Sequence, residues 1–234
     1  MRERFARWVI RHRSRLLFGM VIAMSLIAAG ISRIELNDNF IEYLDYKYPL
    51  RVETEYIAGN QLTGLDLIEY SIPAQRSGGI SDPEYLTNLD RLGNWFEHHP
   101  DVLTVATMTD VMKRLNRNMH GDDPGMHKVP ESQQLGAQYL LLYEMSLPYG
   151  LDLNNRIDID KSKTRLTVIL KRTSAKKLRD LDEEARAWME DNLPTYMYSY
   201  GTGLSVVFSH ISKRNIDTML KGITIALVLS LIHI

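Results

Sequence analysis

No cysteine occurs among the 234 residues. That absence excludes a disulfide scaffold, a thiolate zinc site, an iron–sulfur cluster and a cysteine nucleophile. It leaves the redox compartment open, because an exported domain can fold without disulfides. Signatures of hydrolytic and nucleotide chemistry are missing as well. There is no Gly-x-Ser-x-Gly elbow and no His-Glu-x-x-His helix. Gly201-Thr-Gly203 lacks the further glycine and the Lys-Ser/Thr of a phosphate loop, and reads as a strand-to-helix turn. An excess of charge of one sign is also lacking: 28 Lys and Arg face 29 Asp and Glu, a net charge of −1. With 44% hydrophobic and 24% charged residues, the chain is too polar to be wholly membrane-embedded and too apolar to be disordered. Its length suits one or two domains with a real core.

What charge there is lies unevenly. Residues 1–15 hold six arginines against one acid, a +5 head, which leaves −6 for the remainder. An acidic body argues against nucleic-acid binding. After the head, residues 16–31 carry no charge and one hydroxyl, Ser25. With Ser32 and Ile34 the run at 16–34 approaches the ~20 residues that cross a bilayer. Three readings apply to it: a retained signal anchor, a signal peptide cleaved near Ala28-Ala29-Gly30, or a buried core helix. The clustered arginines favour the anchor. The positive-inside rule then puts the N-terminus in the cytoplasm and the rest, from 35 to about 212, across the membrane.

A second apolar run starts after Lys221 and reads as the first half of another membrane helix within 213–234. Its last six residues, Leu229-Ser-Leu-Ile-His-Ile234, can be encoded by CTG TCT CTT ATA CAC ATC, the start of a transposase adapter used in sequencing libraries. The expectation is a gene cut at a library junction, with the protein continuing. The alternative is a natural Leu/Ile-rich helix. Under either, His233 has no assigned function.

Between the apolar ends the pattern predicts an α+β domain. An extended connector from residue 35 precedes a helix over 51–58 and a strand over 65–73. Ser81-Asp-Pro-Glu84 opens a helix with apolar residues at Tyr85, Leu86, Leu89, Leu92, Trp95 and Phe96. A strand over 102–106 follows, then a helix through Val111, Met112, Leu115 and Met119, a loop at 120–125 and a helix opened by Pro130 and Ser132. Residues 156–160 and 164–171 read as a hairpin across Lys161-Ser-Lys163. Ser174 caps a helix bearing Leu178, Leu181, Ala185, Trp188 and Met189. Tyr196-Met-Tyr-Ser-Tyr200 reads as a strand, and a final helix starts near Leu204. Two βαβ halves with a helical insert make a split βαβ, ferredoxin-like sandwich with four strands.

The chemistry is thin. His120, Asp122, Asp123 and His127 have metal-ligand chemistry, but they sit on a Pro/Gly loop that reads as a solvated acidic turn. His98-His99 reads as a helix end. Tyr43, Tyr46, Tyr48, Tyr196, Tyr198 and Tyr200 line either an apolar path or ordinary strand faces. Met108, Met112, Met119 and Met126 suit either a pliable surface or the core. No catalytic, metal or cofactor-binding residue is assigned, and the substrate path stays unknown. The pattern favours transport or interaction over catalysis.

An ordered set of motifs carries a resemblance: Asp38-x-Phe40-x-x-Tyr43, Gly79-Ile-Ser-Asp-Pro-Glu84, Leu86-x-x-Leu89-x-x-Leu92, Trp95-x-x-x-x-Pro100-x-Val102, Asp110-x-x-Lys113-x-x-Asn116, Pro130-x-Ser132, Gln138-Tyr-Leu-x-x-Tyr143 and Thr202-Gly203. Together they resemble the first porter domain of exporters in the resistance–nodulation–division (RND) superfamily, of the MMPL-like type. The resemblance implies a proton-driven transporter of lipids or other hydrophobic compounds in a bacterial inner membrane. It also implies a periplasmic porter domain between transmembrane helices. Partners would be the bilayer, a hydrophobic substrate, the rest of the transporter and a second copy. The family's acidic proton relay lies in later membrane helices, so no relay residue transfers here. A membrane-anchored extracytoplasmic sensor or ligand-binding module is the alternative, and a secreted enzyme the third reading.

Overall fold

The structure, a computed structural model, describes residues 8, 10–31, 43–60, 62–148 and 153–233. The head up to Arg7, residues 32–34 of the first apolar run, the connector 35–42 and Ile234 lie outside them. The chain divides into two compact units, Met1–Asn37 and Asp38–Ile234.

In the first unit, helix α1 covers Arg13–Ile31. Its window Arg13–Gly30 has mean hydropathy 1.4 and none of it is buried. By length and composition it can cross a membrane, a property it shares with signal sequences.

The second unit begins with helix α2, Pro49–Gly59, where proline fills the first turn and its missing N–H costs nothing. Strand β1, Asp66–Pro73, follows. Helix α3, Pro83–Glu97, starts at Asp82, not Ser81: the Asp82 carboxylate accepts the Glu84 amide at 3.0 Å. Strand β2 is Val102–Ala106. Helix α4, Met108–Met119, opens on a full capping box in which Thr107 and Asp110 satisfy each other's amides. Helix α5, Gln133–Ser146, is capped by Ser132. Strand β3, Lys163–Leu170, leads to helix α6, Ala175–Asn192, capped by Ser174, and to helix α7, Leu204–His233.

The sheet is antiparallel with β3 in the middle, in the order β1-β3-β2. Ile68, Tyr70 and Ile72 face the same way as Leu166, Val168 and Leu170, and all six are fully buried. Tyr70 touches both covering helices: its ring lies 5.5 Å from Phe96 of α3, and its hydroxyl reaches α6. The core therefore sits between one sheet face and the α3–α6 layer. On the other face, Leu67, Ser71 and Arg165 are exposed, and Glu69 pairs with Arg165 at 3.4 Å.

Two expected strands are absent from the described residues. Over 156–160 only Ile157 bridges to Thr164. The Asp158 carboxylate grips the Ser162 and Lys163 amides at 2.6 and 2.8 Å, so the chain turns straight into β3. Over 196–200 the chain forms a 3₁₀ turn at Thr195–Met197 that plugs Met197 into the core. Only Thr202 then pairs, with Glu69. The sheet is thus three-stranded, with a single-bridge fourth position beside β1.

Candidate functional site: the junction where α7 leaves the sheet

The most strongly built polar site lies where the chain turns from Tyr200 into α7. Asp182 of α6 is its centre, with a side chain only 8% exposed. Oδ1 accepts the Tyr70 hydroxyl at 2.9 Å and the Gly201 amide at 2.9 Å, and Oδ2 accepts Arg186 Nε at 3.2 Å. Burial first, and the neighbouring Asp182 carboxylate second, push the Tyr70 hydroxyl far above its usual titration range. It stays protonated and donates to Asp182. Glycine is required at 201: a Cβ there would lie 2.3 Å from Asp182 Oδ1 and 2.8 Å from the Ile68 side chain. Gly203 has φ +108°, a conformation L side chains rarely adopt.

Around this centre the turn is tied to β1. Glu69 and Thr202 exchange both backbone hydrogen bonds, at 3.0 and 2.7 Å, and the Leu67 amide donates to Ser205 Oγ at 3.3 Å. Arg179 Nη1 donates to the Ser209 carbonyl at 2.6 Å. Val206, Ser209 and Ser212 are buried, so the first turns of α7 are docked on the domain. Ile223, Ile225, Leu227, Val228 and Leu229 are exposed on the same continuous helix. What this arrangement does is mechanical: it fixes the direction in which a helix of about 45 Å leaves the sheet.

Asp66, at the start of β1, belongs to the same junction. Burial holds its carboxyl above the ordinary value of 3.8, against hydrogen bonds from the Thr173 backbone and Ser205 and the attraction of Arg172. A carboxyl raised in the folded state adds stability that is complete below its ordinary value and is lost as pH rises through the folded value. Asp66→Asn is therefore expected to gain stability on the wild type as pH climbs from 3.8 to neutrality. Urea unfolding over that range checks it, and parallel curves for the two proteins would refute the assignment.

The candidates named from sequence scatter. His120 Nδ1 lies 2.7 Å from the Asn116 carbonyl, Asp122 pairs with Arg117, and Asp123 caps the turn Pro124–Met126. Among the described residues no three His, Cys, Asp or Glu side chains gather to hold a metal. His98 and His99 do close α3, with His98 Nδ1 2.7 Å from the Asn94 carbonyl. Met108 and Met112 are core residues, Met126 is half-buried and Met119 is half-exposed. Tyr198 and Tyr200 meet edge to face at 5.3 Å, and Arg186 lies 5.7 Å from the Tyr200 ring. Tyr43, Tyr46 and Tyr48 are exposed, far from that pair in sequence.

Between α3 and α6 lies an open groove of about 580 Å³. Trp95 and Trp188 stack at 5.6 Å along it, and His99 Nε2 sits 3.7 Å from Glu184.

Asp182 was missed because it reads as one more charge on a charged helix. The clue was its position: it is four residues after Leu178 and three before Ala185, on the apolar stripe itself.

Comparison with family models and with curated proteins found no match.

Proposed function

We propose that this chain is the N-terminal part of a proton-driven RND-type exporter of lipids or other hydrophobic compounds. In this reading α1 is the first transmembrane helix and the unit around the sheet is the first periplasmic porter domain. Helix α7 enters the bacterial inner membrane as the second span. The observation that carries the reading is α7 itself: one unbroken helix, docked on the domain through Val206, Ser209 and Ser212, and beyond Lys221 mostly apolar, without Asp, Glu, Lys or Arg, and exposed over 222–230. Exposed apolar surface of that length needs a non-aqueous partner. The strand order supports the finer fold assignment. A single-bridge fourth position beside β1, then β3 and β2, matches the split βαβ of a ferredoxin-like sandwich, with α4 and α5 as the insert.

Export would depend on differential stability of two porter arrangements, biased by protonation in membrane helices. The groove between α3 and α6 favours a second reading, a membrane-anchored sensor or binding module whose ligand would lie against the two tryptophans. Sequencing the gene past the codon for Val228 separates them. Further apolar helices with an embedded Asp or Glu are expected. A signalling domain there would overturn the exporter, and a native stop codon would count against both.

A further inference from the structure

Helix α2 turns part of its charge inward and leaves large side chains outside. Arg51 is only 9% exposed, covered by the Tyr46 ring at 4.0 Å. It donates to Glu55 at 3.0 Å and to the Leu44 carbonyl at 2.6 Å. Arg172, two residues past the end of β3, approaches Glu55 at 3.7 Å, so this charged side is turned toward the domain. The opposite arc holds Leu50, Val52 and Tyr56, which are 63%, 48% and 65% exposed. Glu53 is the one acid among them. Ile57 and Ala58 are half-buried on the inward side, so ion pairs and aliphatics share that face while Val52 and Tyr56 are left outside.

The preceding turn adds Tyr43, Tyr46 and Tyr48, all largely exposed. Four tyrosines within 43–56 give a surface with apolar bodies and hydroxyl tips, the chemistry of a bilayer's headgroup boundary. Charge does not drive the contact, since Asp45, Lys47, Arg51, Glu53 and Glu55 nearly cancel. Along the chain, Tyr43 follows Gly30, the last residue of the α1 window, by thirteen positions.

We infer that the segment from Tyr43 to Tyr56 is an interfacial anchor, with Leu50, Val52, Tyr56 and the turn tyrosines seated in the headgroup region of the bilayer that α1 crosses. The inference rests on the membrane reading of α1. It goes beyond that reading by giving the porter domain a second, peripheral hold on the lipid.

The lack of cysteine makes the test clean. Single variants Val52→Cys on α2, Met24→Cys in α1 and Glu190→Cys on exposed α6 are nitroxide-labelled in the whole chain. The chain is reconstituted in phosphatidylethanolamine–phosphatidylglycerol vesicles. Collision with oxygen and with a water-soluble nickel chelate is then read by electron paramagnetic resonance. The expected oxygen-to-nickel ratio at Val52 is several-fold above that at Glu190 and below that at Met24, unchanged by high salt. A Val52 label as wet as the Glu190 label, with Met24 in lipid, overturns the anchor and leaves the membrane reading standing. A Val52 label shielded from both reagents also overturns it, because protein then covers the arc. A wet Met24 label overturns both readings together.

Discussion

Replacing Asp182 by alanine is expected to lower the unfolding free energy of the domain by about 3–5 kcal/mol, the usual cost of removing one partner from a buried charged pair. The geometry says why the cost is high. The Tyr70 hydroxyl is fully buried and, without Asp182 Oδ1, has no acceptor, a loss of about 1–3 kcal/mol by itself. The Gly201 amide loses the same acceptor. Arg186 recovers part of its hydration, since its side chain is 29% exposed. Urea unfolding measures the total. Asp182→Asn, which keeps an acceptor and the shape, is expected to cost less than alanine. Hydrogen exchange then localises the effect: the amides of 201–209 should exchange faster in Asp182→Asn while β3 stays protected. A loss below about 1 kcal/mol in Asp182→Ala would show that the carboxylate contributes little, and the junction would have to be held by the Glu69–Thr202, Leu67–Ser205 and Arg179–Ser209 hydrogen bonds.

Asp217→Pro is expected to disconnect the two halves of α7. Asp217 is exposed, five residues past the last fully docked position, Ser212, and five before Gly222. A proline there removes one intrahelical bond and clashes with the Lys213 carbonyl, which costs the helix about 3 kcal/mol. The sheet and its α3–α6 layer are not touched, so the domain's unfolding midpoint should hardly move. The direction of the distal helix should change instead. A nitroxide pair at Glu190→Cys and Thr224→Cys gives one narrow distance distribution in the parent and a broad or shifted one in the variant. On the exporter reading proposed above, the same substitution is expected to abolish transport by the whole transporter while the protein still reaches the membrane. A narrow, unshifted distribution would refute the rigid-helix account.

The parts of this fold that were legible in the sequence are those where one periodicity dominates. Leu86, Leu89, Leu92 and Phe96 mark α3 because their spacing and the Asp82-Pro83 start agree, and β2 is short, apolar and bounded by Pro100 and the Thr107 cap. Alternation misled at Tyr196, Tyr198 and Tyr200. Those three mimic a strand face, but Pro194 and the burial of Met197 draw the chain into a turn instead. The junction was illegible for another reason. Tyr70, Asp182 and Gly201 come from three distant stretches, and only the sheet order brings them to one point. The outward arc of α2 was hidden as well. Spacing shows that Val52 and Tyr56 share an arc, but it does not say which way the arc looks.

Because α7 is held on the domain from Gly201 to Ser212 and then runs about 30 Å without a break, it works as a lever arm. A tilt of about 5° at Ser212 sweeps the far tip through about 3 Å, close to two helical residues of axial rise. A displacement too small to repack the core beside Tyr70 is thereby large enough to reposition a side chain at Leu229.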